Sequence, residues 1–221
     1  MNAVQRSLRI PAAGVALEAD LVVPQPARGL VPFAHGSGSS RHSSRNRHVA
    51  GELQAAGLAT VLADLLTPEE EQVDLRTGAL RFDIDLLAGR VTALTDWLVE
   101  QERLAGLGVG LCGASTGAAA ALVAAATRPA AVQAVVSRGG RPDLAGGLLR
   151  RVRQPTLLIV GGRDRTVLEL NRGAMEQLGG ETRLEIVAGA SHLFEEPGAL
   201  DEVARLARDW FVRRLNPVPR G

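Results

Sequence analysis

Apolar residues in this chain come as short β-branched or aliphatic runs, separated by longer stretches with helical spacing. The runs at 8–10 and 15–23 predict an opening hairpin, joined through Pro11 to Gly14. A buried strand is predicted over 29–34, a helix over 44–56 that stops at Gly57, and a second buried strand over 58–63. Residues 64–78 are acidic, polar and interrupted by Pro68, which predicts a loop. A long amphipathic helix follows over 82–101, with Leu86, Leu87, Val91, Leu94, Leu98 and Val99 on one side. Then come a glycine-rich strand (107–112), an alanine-rich helix (115–127), a strand (131–136) and a short helix (144–152). The pattern ends with a strand (156–160), a helix (167–178), a last strand (183–187) and a helix that opens near Pro197 and runs to about 215. Residues 216–221 read as a loose end.

Strands alternating with helices of this length imply parallel βαβ units, and so a sheet covered on both faces. The 221 residues suit one α/β domain spanning 1–221, and 46% apolar residues supply a large core without metals or disulfides. Cys112 is the only cysteine, so no intramolecular disulfide exists.

Charge changes the picture mainly by exclusion. The 25 basic and 24 acidic residues leave a net charge of +1, which gives no reason to expect nucleic acid or an anionic membrane as partner. Every basic residue is arginine, so Schiff-base lysine and P-loop lysine chemistry are absent; tyrosine is absent too. The start, MNAVQRSLRIPAAGVALEADLVVP, has no uninterrupted apolar stretch after a basic beginning. The alanine-rich run is far shorter than the roughly 20 residues a membrane span needs. A cytoplasmic location is expected, and the oligomeric state is left open.

In such a sheet, ligands bind at the carboxyl ends of the strands, so the residues that follow each strand matter most. After the strand 107–112 comes Gly113-Ala114-Ser115-Thr116-Gly117, a G-x-S-x-G at a strand-to-helix turn. That context suits a serine hydroxyl raised above the sheet at a helix N-terminus. A serine needs a base to take its proton, and His192 follows the last strand. The base needs an acceptor that fixes its tautomer, and Asp164 follows the penultimate strand. Asp143 and Asp64, each after an earlier strand, are the rival acids. A developing oxyanion needs aimed N–H donors; Thr116 and Ser37, the latter in His35-Gly36-Ser37-Gly38 after the third strand, are the candidates.

The elbow GASTG, the loop HGSGSSRHSSRNRH, the segment GGRDRTVLELNR and the closing GASHLFEEPG together resemble the dienelactone-hydrolase-like group of α/β-hydrolases, over essentially the whole chain. The resemblance implies an α/β-hydrolase fold: about eight strands, mostly parallel, the second antiparallel, with helices on both faces. Only 137–155 separates the sixth strand from the seventh, so no large lid is expected and substrates should be small and soluble. Dienelactone hydrolase proper uses a cysteine nucleophile, whereas this elbow carries Ser115. The expectation is therefore a serine hydrolase of small carboxylic esters or lactones, with no cofactor.

Other readings stay open at this point. An acyltransferase or perhydrolase would use the same site, and a non-catalytic binding protein could keep the fold. Residues 108–113 formally match the G-x-G-x-x-G of a dinucleotide site, with Ser137-Arg138 as a hint of a 2′-phosphate, but the preceding residues make a poor strand. His35, His42 and His48 lack metal-ligand spacing, so no metal is expected and His35 is read as holding the oxyanion loop. Cys112 reads as a buried, inert thiol. Arginines gather at strand ends: Arg41 and Arg45, Arg138 and Arg141, Arg163 and Arg165. An anionic substrate would want such donors, with Arg138 first and Arg41 second as candidates.

Overall fold

The computed structural model describes residues 2–218. Strands β1 (Ala3–Ala12) and β2 (Val15–Pro24) form an antiparallel hairpin. Its two-residue turn is Ala13-Gly14, both at positive φ (50° and 83°), the handedness that matches the twist of the flanking strands. There follow β3 (Gly29–Ala34), α1 (Ser44–Ala55), β4 (Leu58–Ala63), α2 (Pro68–Thr77), α3 (Ile84–Val99), β5 (Gly108–Ala114) and α4 (Thr116–Thr127). The chain continues through β6 (Val132–Arg138), β7 (Thr156–Gly161), α5 (Arg165–Met175), β8 (Thr182–Val187) and α6 (Ala199–Arg214). The strands form one sheet in the order β1-β2-β4-β3-β5-β6-β7-β8. Strand β2 is antiparallel to both its neighbours and every other pairing is parallel, as the resemblance implied.

Side-chain alternation sends each central strand into two cores. On one face Val31, Phe33, Val136 and Ile159 pack with Val49 and Leu53 of α1 and with Val203 and Phe211 of α6. On the other, Leu111, Val135 and Leu158 pack with α3, α4 and α5. Strands β3, β4, β5 and β7 are buried along their whole length, which explains their near-continuous apolar sequence. Helix α4 has ten of its twelve residues buried, and its alanines let the sheet and neighbouring helices approach closely. The glycines of 108–113 lie inside β5 rather than after it. Side chains at Gly108 and Gly110 would run into Asn216 and the ring of Phe211, so these glycines serve packing against α6 and the segment that follows it.

Three expectations are corrected. Residues 64–78 are not all loop. Pro68, read as a breaker, is the first residue of α2, where its missing N–H is not needed. Thr67 and Glu70 form a reciprocal capping box and Gly78 ends the helix in the left-handed region. The helix is easy to miss because Asp74 is its only buried residue, so it carries no apolar stripe. The short helix predicted over 144–152 is a 3-10 segment, Pro142–Arg151, kinked at Gly146. It is the only regular element between β6 and β7, so no large lid is inserted there. The tail is docked as far as it is described: Asn216 N–H donates to Gln133 Oε1 (2.8 Å) and Val218 N–H to the Gly106 carbonyl (2.9 Å). Residues 219–221 of the expected loose end lie outside the described residues. Among those described, no helix is long and apolar enough to cross a membrane.

Candidate active site

The topology gathers the loops after β3, β5, β6, β7 and β8 at one edge of the sheet, the carboxyl ends of its parallel strands. At the end of β5 the chain turns into α4 through Ser115, held at φ 49° and ψ −123°. For a residue with a Cβ this conformation costs on the order of 1–3 kcal/mol, so the surroundings must enforce it. They do so from both sides. Ser115 N–H donates to the Arg138 carbonyl (3.3 Å), while the Ser115 carbonyl accepts from Ala118 N–H (3.1 Å) and Arg141 N–H (3.0 Å). Gly117 gives the room needed: a Cβ there would strike the carbonyls of Ala34 and His35. The Ser115 hydroxyl does not cap the helix it precedes, so the bland role for a serine at this place is unfilled.

The loop after β3 lies against this turn. A Cβ at Gly36 would stand 2.8 Å from Ser115 Cβ, and Ser37 Oγ is 3.3 Å from Thr116 Oγ1. Ser39 N–H donates to the Gly36 carbonyl (3.2 Å), which curls Ser37 and Gly38 into a turn. His35 anchors the loop from beneath. Its Nδ1–H donates to the Gly36 carbonyl (3.0 Å) and its Nε2 accepts from Leu65 N–H (2.9 Å). Both nitrogens are used only by the neutral ring. Burial, its largest influence, lowers the pKa below the usual histidine value, against the Gly36 hydrogen bond and the more distant Asp64 and Glu71 carboxylates.

Asp164 is the N-cap of α5; its Oδ1 accepts from Val167 N–H (3.4 Å) and its Oδ2 lies 2.6 Å from His192 Nδ1. His192 sits on the loop after β8. That loop is tied down by Glu196, which accepts from Ser191 N–H (3.0 Å) and from Arg163. The Ser191 N–H is the first of the influences that hold the Glu196 carboxyl at about 2. Ser115 and His192 line one cavity of about 230 Å³, together with Ser37, Arg45, Arg138 and Leu193.

The rival acids are engaged elsewhere. Asp143 receives the Arg141 guanidinium through both oxygens (2.7–3.2 Å), and Asp64 receives Arg41 through its backbone N–H (2.6 Å) and its guanidinium. Arg41, the second candidate for a substrate contact, is paired with Asp64 and is not among the residues that line this cavity. Arg45, four residues on, does line it. That exchange was not readable from sequence, because it depends on the ends of β3 and β4 facing each other.

Arg138 is buried to 8% exposure; its Nη2 donates to Asn46 Oδ1 (2.7 Å), and no ion pair to it occurs among the described residues. Burial lowers its pKa, and nearby Arg45 lowers it further, against the Cys112 thiol. Burial pushes that thiol up to about 12, where it is inert at neutral pH. The remaining histidines go to separate partners, His42 to Arg47 (2.8 Å) and His48 to Asp201 (2.8 Å). Among the described residues no group of three or more His, Cys, Asp or Glu could hold a metal.

No family model matches the sequence. Two Mycobacterium tuberculosis proteins, from strains CDC 1551 and H37Rv, each named "Putative phosphoribosyl transferase", are 58% identical over 215 residues. That alignment covers 97% of this chain and 48% of theirs, so the chain spans about half the length of these curated relatives. Among solved structures, a dienelactone hydrolase from Anabaena variabilis is 58% identical, with a TM-score of 0.95 over 97% of this chain and 99% of that one. A cold-adapted esterase from an Arctic intertidal metagenomic library shares the fold alone: TM-score 0.74, 16% identity, 97% of this chain and 95% of that one. With near-complete coverage of a 58%-identical relative of the same fold, the chain belongs to the dienelactone-hydrolase-like α/β-hydrolases.

Proposed function

We propose that this chain hydrolyses small carboxylic esters or lactones through an acyl-enzyme on Ser115. The observation that carries the reading is the meeting, in one cavity, of a hydroxyl on a strained turn and an imidazole whose other nitrogen is held at 2.6 Å by a carboxylate. Asp164 keeps the proton on His192 Nδ1, leaving the Nε2 lone pair for the Ser115 hydroxyl. His192 takes that proton as Ser115 Oγ bonds to the ester carbonyl carbon. The carbonyl oxygen becomes an oxyanion, received by the amides of Ser37 and Thr116; one such donor is worth about 2.7–4 kcal/mol of transition-state stabilisation. When the tetrahedral centre collapses, the C–O bond to the leaving group breaks and His192 returns the proton to the departing alkoxide. Water then repeats the sequence: His192 deprotonates it, it attacks the acyl carbon, and Ser115 leaves as a regenerated hydroxyl. No step calls on a cofactor.

The preferred substrates carry a second, anionic group. Arg138 and Arg45 face the cavity, and the N-terminus of α1, capped by Ser43 and without an acidic residue in its first turn, adds its dipole. A buried guanidinium with no carboxylate partner among the described residues leaves donor capacity for a ligand's oxygens. The transferase name belongs to proteins about twice as long, of which this chain matches roughly half.

The test is fluorophosphonate labelling of the folded protein with p-nitrophenyl acetate turnover. Labelling and turnover are expected in the wild type and absent in Ser115→Ala. No labelling, or labelling unchanged by that substitution, removes the serine-hydrolase reading.

A further inference from the structure

Asn171 is fully buried in α5, and neither the chemistry above nor the core explains it. Its amide nitrogen donates to two carbonyls, Gly140 (2.9 Å) and Val167 (2.7 Å). Its Oδ1 is buried and has no partner among the described residues. The two acceptors dictate which way the amide faces, since the flipped amide would set oxygen against oxygen. The Gly140 carbonyl lies outside α5, so this side chain links the helix to another segment of the chain.

What the amide holds is the link between the other stations. Gly140 belongs to the segment 138–141, which runs from the last residue of β6. On one side this segment fixes the nucleophile turn, through Ser115 N–H to the Arg138 carbonyl and Arg141 N–H to the Ser115 carbonyl. On the other it meets the base. Gly139, at φ 51°, donates its N–H to the Ile159 carbonyl (2.8 Å), and a Cβ on it would stand 3.1 Å from the His192 carbonyl oxygen and 3.6 Å from His192 Cε1. Asn171 lies seven residues, about two helical turns, beyond Asp164 and on the same face of α5. One side chain thus ties the helix that presents the acid to the segment that touches both nucleophile and base.

We propose that Asn171 is a positioning residue that sets the spacing of Asp164, His192 and Ser115 by clamping the Gly140 carbonyl to α5. The proposal rests on the serine-hydrolase reading. It predicts a cost in turnover rather than in substrate binding, because a displacement of about 1 Å among reacting groups is enough for a loss of order 100-fold.

The experiment compares wild type, Asn171→Leu, which removes both donors, and the near-isosteric Asn171→Asp, which sets a carboxylate against the same two carbonyls. Active sites are counted with a fluorophosphonate, and kcat and KM for p-nitrophenyl acetate are measured well below each melting temperature. The expected result is a kcat per titrated site at least tenfold lower in both variants, with KM within about threefold. A merely structural role would instead reduce the number of titratable sites or the melting temperature and leave kcat per site unchanged; that outcome overturns the proposal. If Asn171→Leu does not fold, Asn171→Asp alone decides by the same criterion. A wild type that takes up no label fails differently: the serine-hydrolase reading goes first, and this inference falls with it.

Discussion

Asp164 Oδ2 stands 2.6 Å from His192 Nδ1, while Asp164 Oδ1 accepts from Val167 N–H at the start of α5. One carboxylate therefore starts a helix and orients an imidazole from the adjacent loop. A carboxylate oxygen can only accept here, so the contact with Oδ2 places the imidazole proton on Nδ1.

This double role makes Asp164→Asn informative. An asparagine can still cap α5, so the fold should survive. Its amide can present a donor to Nδ1 and so favour the wrong tautomer, with the proton on Nε2 where the serine proton must go. The expected outcome is a loss of roughly 10³–10⁴-fold in kcat with little change in melting temperature. Steady-state kinetics with p-nitrophenyl acetate measure it; a loss below tenfold would remove Asp164 from the role.

How much of this was legible in sequence follows from where the information lies. Strands β3 and β4 keep their predicted bounds because burial on both faces leaves a continuous apolar run that glycines and helices punctuate. The turn at Ser115 was legible because close backbone approach leaves no room for a Cβ at either glycine: one at Gly113 would meet Ala118, and one at Gly117 the carbonyls of Ala34 and His35. Helix α2 was not, since caps and ion pairs hold it rather than an apolar stripe: Thr67 with Glu70, Glu70 with Arg90 (2.7 Å) and Asp74 with Arg81 (2.6 Å). Thr67 and Glu70 spell a capping box, but Pro68 beside Thr67 reads equally well as a breaker. The fates of Arg41 and Asn171 were beyond reach, because each depends on a partner supplied by a different crossover of the sheet.

His35 should make stability depend on pH. Its folded pKa lies below the unfolded value of about 6.5, because burial disfavours the charged ring. Below that value the unfolded chain takes up a proton that the folded chain resists, so this contribution is complete above pH 6.5 and is lost progressively as pH falls toward the folded pKa. Each unit of depression corresponds to about 1.4 kcal/mol, or a few degrees in Tm for a chain of this size. His35→Gln, which offers an acceptor to Leu65 N–H without titrating, should show a smaller drop in Tm between pH 7 and pH 5 than the wild type. Equal drops measured by calorimetry would show that His35 is not the group responsible.

Glu196 holds the loop of His192 through Ser191 and Arg163. Its carboxyl sits at about 2, below the ordinary 4.5, so its hold is present above 4.5 and lost only as pH falls through 2. At neutral pH the substitution Glu196→Gln, which weakens both contacts, should therefore mimic strong acid locally. Faster amide exchange over 189–195 and a several-fold lower kcat are expected, with protection of the central strands unchanged. Exchange that stays at the wild-type rate in this loop would show that other contacts suffice to place the base.

Arg138 supplies the last prediction, because its burial with no carboxylate partner among the described residues should appear as selectivity rather than rate. A charge-assisted hydrogen bond is worth about 1.5–3 kcal/mol, which corresponds to roughly 10–100-fold in kcat/KM between esters with and without a second anionic group. Arg138→Met fills a similar volume but has no donor. It should erase most of that preference, as read from a matched pair such as a succinate half-ester and its neutral butyrate counterpart, and leave the neutral ester within a few-fold of the wild-type rate. Arg45→Met should remove a smaller part, since Arg45 is more exposed and faces Glu195 at 3.6 Å. Selectivity unchanged in both variants would mean that the two guanidinium groups in the cavity do not read the substrate's charge.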